Sequence, residues 1–109
     1  MNTTYWADIA LSVEIPPNGI TSRAVHNDDE VRVVVFGFDT GEELSEHMAS
    51  MPAVLHILEG EGTLTLGSEE KPATPGTWAW MPAHLPHSIQ AKTPLKMLLV
   101  LLKSGKTTA

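Results

Sequence analysis

The stretch Gly76–Ala91, which reads GTWAWMPAHLPHSIQA, decides the fold. Its Trp78–Trp80 run is short and apolar, and the following segment Pro82–Pro86 is bounded by prolines, which excludes a helix or a central strand there. The segment His87–Ala91 then resumes an alternating pattern that predicts a second strand. Short strands separated by turn signals are typical of a β-sandwich or β-barrel.

Turn-forming residues also separate short apolar runs along the rest of the chain, which has eight prolines and eight glycines. We predict eight to ten strands, among them residues 20–26, 31–38, 44–48, 53–58, 63–66, 78–80, 87–91 and 95–102, with residues 67–71 as a polar turn. The run Val31–Phe38 has β-branched residues on both faces, so we expect it to be covered on both sides. Tyr5 and Trp6 indicate an N-terminal arm that packs against the rest of the chain.

Composition excludes several classes of protein. The 109 residues suffice for one domain, which we place at residues 1–109 with a core at about 20–102. The absence of cysteine excludes a disulfide framework and a thiolate metal site. A net charge of −6 with scattered basic residues argues against a nucleic-acid partner. No apolar run is long enough to span a membrane and no signal peptide is recognisable, so we expect a soluble, cytoplasmic protein.

Two segments, Gly41–Gly60 and Gly76–Ala91, together resemble the two motifs of the cupin family. The first motif is matched at Gly41, His47 and Gly60, while Ala49 and Ala53 stand where the family has its second histidine and its glutamate. The second motif is matched at Gly76, Pro82 and His87, while His84 and Ala91 stand at the positions of a glycine and an asparagine. The resemblance implies an all-β, double-stranded β-helix (jelly-roll) barrel of the small single-domain cupin type.

The resemblance also implies a site in the barrel, because the usual cupin metal site uses three histidines and one glutamate. Only His47 and His87 remain at those positions, and non-haem iron and zinc sites typically need three protein ligands. His56 and His84 are weaker candidates for a third ligand, and strand alternation directs His56 away from the cavity unless a bulge intervenes. The expected cofactor is one divalent transition metal (Fe, Mn, Ni, Cu or Zn) or none.

We predict a pocket lined by residues on the inward faces of the strands: His47, Ala49, Ala53, Leu55, Trp80, His87 and Ile89. The first hypothesis is a small cupin that binds a small organic molecule, with Ala49 and Ala53 making room for an apolar ligand. The alternative is a metal-dependent enzyme of the dioxygenase, isomerase or decarboxylase type that uses His47, His87 and a third ligand. On either hypothesis we expect a homodimer, because exposed sheet edges need cover.

Overall fold

The computed structural model describes residues 3–103, which form two antiparallel sheets and one short 3-10 helix, Ile9–Ser12. Nine strands follow along the described chain: β1 (Ile20–Asn27), β2 (Val31–Phe38), β3 (Glu43–His47), β4 (Ala53–Glu59), β5 (Gly62–Leu66), β6 (Glu69–Ala73), β7 (Trp78–Met81), β8 (His87–Ala91) and β9 (Leu95–Leu102). The five-stranded sheet has the order β1-β2-β9-β4-β7, and the four-stranded sheet has the order β3-β8-β5-β6. Among these residues no helix is long and apolar enough to cross a membrane.

The core lies between the two sheets, because each strand turns alternate side chains inward. From the five-stranded sheet, Leu55, Ile57 and Met97 are buried, and from the four-stranded sheet Leu64 and Ile89 meet them in one cluster. The all-β fold class predicted from the sequence is therefore confirmed.

At two glycines a neighbouring backbone segment lies too close for any side chain. A Cβ at Gly60 would lie 2.0 Å from the carbonyl oxygen of Pro94, and one at Gly62 would lie 2.2 Å from that of Gln90. Gly60 also has a φ of +84°, which disfavours every residue with a Cβ. These two glycines allow the chain at the end of the β4–β5 connection to lie against the backbone of Pro94 and of Gln90.

The predicted polar turn at residues 67–71 is wrong in part, since a turn at Gly67 leads directly into strand β6. β6 is an edge strand that pairs only with β5, so its exposed, charged residues and Pro72 are tolerated there. Its backbone pairing comes from the hairpin with β5, which a hydrophobic pattern does not reveal.

Candidate functional site

The site forms where β3 and β8 pair at the edge of the four-stranded sheet. Leu44 pairs with Ile89 and His47 with His87, so three residues of β3 span the distance of two on β8. This irregularity lets Leu44 and His47 both line the space between the sheets, although residues three apart in a regular strand face opposite ways. Glu43, opposite Gln90, is exposed and lines neither cavity described below.

His47 and His87 lie side by side, with 4.2 Å between their ring centroids and an angle of 59° between the ring planes. His87 is buried, with 9% of its surface exposed, whereas His47 is exposed. The pair therefore has one ring inside the protein and one at its surface.

Each imidazole is held by a carbonyl oxygen two residues before it. Nδ1 of His47 lies 2.9 Å from the oxygen of Ser45, and Nδ1 of His87 lies 2.9 Å from the oxygen of Leu85. A carbonyl oxygen only accepts hydrogen bonds, so Nδ1 carries the proton and donates in both rings. In the neutral rings Nε2 is then an unprotonated acceptor.

Burial lowers the pKa of the His87 imidazole below its ordinary value of 6.5, and the nearby His47 lowers it further. The hydrogen bond to Leu85 acts in the opposite direction and is outweighed by burial. His87 is therefore neutral at pH 7, and its Nε2 presents a lone pair.

Both rings line a cavity of about 180 Å³ that lies between the sheets. The other lining residues are all apolar: Ala49, Met51, Ala53, Met81, Pro82, Leu85, Leu99 and Leu101. A second cavity of about 30 Å³ shares His47, His87 and Leu99 with the first and continues toward Leu55 and Ile89. The larger cavity is a small apolar chamber whose polar side chains are two imidazoles, and Ser88 also lines the smaller one.

The structure brings six of the seven predicted pocket residues to these two cavities. His47, Ala49, Ala53 and His87 line the larger cavity, and Leu55 and Ile89 line the smaller one. Trp80 requires a correction: it lies on the opposite face of β7, 49% exposed, while its neighbours Ala79 and Met81 are buried. The alternation along β7 places the small residue and the thioether inward and both tryptophans outward.

The two weaker histidine candidates lie away from the cavity. His56 pairs with Trp78 and Leu98 on the outer face of the five-stranded sheet, as strand alternation requires. His84 is exposed, with a φ of +68°, and its backbone N–H donates to the carbonyl of Ala49. Neither side chain lines the cavity, so neither supplies a third ligand to the pair.

The donor set does not fit a divalent transition metal of the kind the fold family often binds. Within residues 3–103 no group of three or more His, Cys, Asp or Glu side chains could hold an ion. The two imidazoles have no third imidazole or carboxylate beside them in the lining, so they fall short of the three protein ligands that iron and zinc sites typically need. Ala49 and Ala53, at the two lost ligand positions, contribute only methyl groups to the lining.

Several lining residues escaped the sequence prediction. Met51 and Leu85 lie in connections between strands, and Leu99 and Leu101 belong to a strand whose apolar residues occupy both faces. A continuous apolar run such as Leu98–Leu102 gives no alternation from which to choose the inward face. Strand alternation could have predicted Met81 as a lining residue, because it lies two residues after Ala79 on the same face of β7.

The comparisons with known proteins agree with this fold. The sequence model of the cupin domain matches residues 34–101. A conserved protein of unknown function from Streptococcus pyogenes is 28% identical, with a TM-score of 0.82 over 94% of this chain and 90% of its own. A cupin superfamily protein from Desulfitobacterium hafniense is also 28% identical, with a TM-score of 0.83 over 94% of both chains.

A cupin 2 conserved barrel domain protein from Leptotrichia buccalis is 32% identical, with a TM-score of 0.79; the alignment covers 86% of this chain and 46% of that one. The comparison with curated proteins yields no match. The family model covers more than half of the sequence. This chain belongs to the cupin family.

Proposed function

We propose that this cupin binds a small organic molecule in the cavity between its sheets, with His47 and His87 as the polar contacts. The observation that carries the proposal is the cavity itself, about 180 Å³ in volume and lined by eight apolar residues and the histidine pair. An engineered apolar cavity of about 150 Å³ binds benzene, so this one has room for a single ring with a small substituent. The loss of two ligand side chains to Ala49 and Ala53 is what leaves this room.

The test is a titration of the protein with toluene, followed by NMR chemical shifts and by thermal denaturation. Saturable binding that shifts resonances of the lining residues and raises Tm supports the proposal, because a ligand that binds only the native state stabilises it. Ala53→Leu fills the cavity and is expected to abolish the shifts. Ala24→Leu, at an exposed position of β1, is the matched control and is expected to leave them unchanged. Absence of toluene binding to the wild type would refute the proposal.

The alternative, a metal-dependent enzyme, has one observation in its favour. The Nδ1 of both histidines donates to a carbonyl oxygen, which is how metal-binding imidazoles are oriented for ligation through Nε2. The donor set lacks a third ligand, so we place this function second. Elemental mass spectrometry of the purified protein separates the two: about one transition-metal ion per chain, lost in His87→Ala, would favour the enzyme.

We further propose that a second copy of this chain covers the outer face of the five-stranded sheet. Trp78 and Trp80 are 60% and 49% exposed there. Trp80 continues through Val54 and Val100 into Val33 across four strands, in one row without a charged residue. The row ends at the free edge of β7, where a symmetry-related strand can approach.

A further inference from the structure

The proposed function leaves open which chemical group the ligand presents to the histidine pair. The hydrogen bonds of the two rings answer this, because both Nδ1 atoms are already occupied by Ser45 and Leu85. Among the described residues, neither Nε2 atom has a hydrogen-bond partner. A ligand in the larger cavity therefore meets two side-chain acceptors and no side-chain donor while the rings are neutral.

The surroundings of the pair disfavour a negatively charged ligand group while both rings are neutral. No lysine or arginine lines either cavity, and the larger one contains ten residues of which eight are apolar. A carboxylate placed here would lose its hydration without gaining a cation or a hydrogen-bond donor, and such burial is strongly unfavourable. Protonation of His87 to supply that cation is opposed by its burial and by the neighbouring His47 ring.

The remaining lining favours an aromatic body for the ligand. Met51 and Met81 both line the larger cavity, and thioether sulfurs make favourable contacts with aromatic ring edges. The volume of about 180 Å³ sets the size at one ring with a short substituent.

We infer that the cavity selects neutral molecules that combine a single apolar ring with a hydroxyl donor, the chemical class of phenols, over carboxylic acids of the same shape. The hydroxyl donates to Nε2 of His87 or His47, and the ring fills the space left by Ala49 and Ala53. The inference rests on the proposed function, since it specifies the ligand of the same cavity.

The experiment compares three probes of matched shape by isothermal titration at pH 7.5: 4-methylphenol, toluene and 4-methylbenzoate. One added hydrogen bond to a buried acceptor predicts that 4-methylphenol binds about five- to tenfold tighter than toluene. We expect 4-methylbenzoate to bind more weakly than either.

Variants identify the groups responsible for the selection. In the double variant H47L/H87L, we expect the preference for 4-methylphenol over toluene to fall to about onefold while toluene still binds. The His56→Leu variant makes the same substitution on the outer face of the sheet and is expected to keep the wild-type preference. Retained toluene binding also shows that the double variant is folded.

The outcomes separate the inference from the proposed function. Equal affinity for toluene and 4-methylphenol would overturn the inference and leave the cavity as a binding site. Tightest binding of 4-methylbenzoate would overturn the inference in favour of an anion site. Failure of all three probes to bind would overturn the proposed function as well.

Discussion

At the scale of single residues, Gly60 shows how much of this fold depends on a missing side chain. Replacing it by alanine adds a Cβ 2.0 Å from the Pro94 oxygen at a φ of +84°, so both a clash and backbone strain result. We expect Gly60→Ala to lower the free energy of unfolding by about 3 kcal/mol or more. The measurement is chemical denaturation followed by circular dichroism.

Gly76 is the matched control for this prediction. Its φ is +95°, but a Cβ there would meet no atom within 4 Å. Gly76→Ala isolates the conformational cost, which we expect to be about 1–2 kcal/mol. Equal losses in the two variants would show that the close approach of the Pro94 backbone contributes nothing.

His87 gives the protein a pH dependence of its own near neutrality. Because burial lowers its pKa in the folded state below 6.5, the unfolded chain binds the proton first as the pH falls. The contribution of the neutral His87 to the free energy of unfolding is therefore fully present above pH 6.5, and it decreases as the pH falls from 6.5 toward the lowered pKa. We expect the difference in unfolding free energy between the wild type and His87→Gln to shrink between pH 7.5 and 5.5.

A second acidic transition belongs to a different group and lies in a separate range. The backbone N–H of Val31, followed by the His26 side chain and the N–H of Glu30, lowers the pKa of Asp28 to about 2. That contribution is lost only as the pH falls below 3.8 toward 2.

The control for the His87 prediction is His84→Gln, at an exposed position, which tests the effect of losing a histidine in general. If His84→Gln removed the same pH dependence as His87→Gln, the assignment to His87 would be wrong.

At the scale of elements, the edge strand β7 carries the two exposed tryptophans of the proposed dimer interface. Buried tryptophans are frequent hot spots of interfaces, each contributing 2 kcal/mol or more, on the order of 30-fold in affinity. We expect the wild type to be a dimer in sedimentation equilibrium at micromolar concentration and the double variant W78S/W80S to be a monomer. Tyr5→Ser removes another exposed aromatic residue, 81% exposed, and should leave the dimer intact. A monomeric wild type would refute the dimer.

Comparison of the strands shows which of their bounds the sequence pattern alone could predict. The bounds predicted for Val31–Phe38, His87–Ala91 and Leu95–Leu102 coincide with β2, β8 and β9, because each is an apolar or alternating run between turn residues. β6 was missed because its pairing with β5 stabilises it and its own residues are polar. The register shift that brings Leu44 and His47 to one face of β3 is a tertiary feature, and no local pattern predicts it.

At the scale of the whole molecule, the two faces of the five-stranded sheet have different surroundings. Its inner surface faces the cavity, while part of its outer surface is covered by the segment of the N-terminal arm around Ala10 and Val13, both 6% exposed. Tyr5, which the sequence predicted to pack, is instead 81% exposed. Lys96 Nζ donates to the Ala10 oxygen at 2.6 Å, and Arg23 donates to the Ser12 oxygen at 3.2 Å, which anchors the arm. The arm covers the outer face of β2 at Gly37, which the side chains of Val13 and Ile15 approach, so the predicted cover on both faces holds for the C-terminal half of β2 and not for the exposed Arg32.

This division of surfaces predicts that the arm stabilises the fold without affecting the cavity. Val13 is 6% exposed and its side chain approaches Gly37 on the outer face of β2, whereas Leu11 is 72% exposed. We expect Val13→Ala to lower the free energy of unfolding by about 1–3 kcal/mol, and Leu11→Ala to change it by less than about 0.5 kcal/mol. Toluene affinity should be unchanged in both variants, since cavity and arm lie on opposite faces of the sheet. Equal stability of the two variants in chemical denaturation would show that the arm is not docked, and weakened toluene binding in Val13→Ala would show that the two surfaces are coupled.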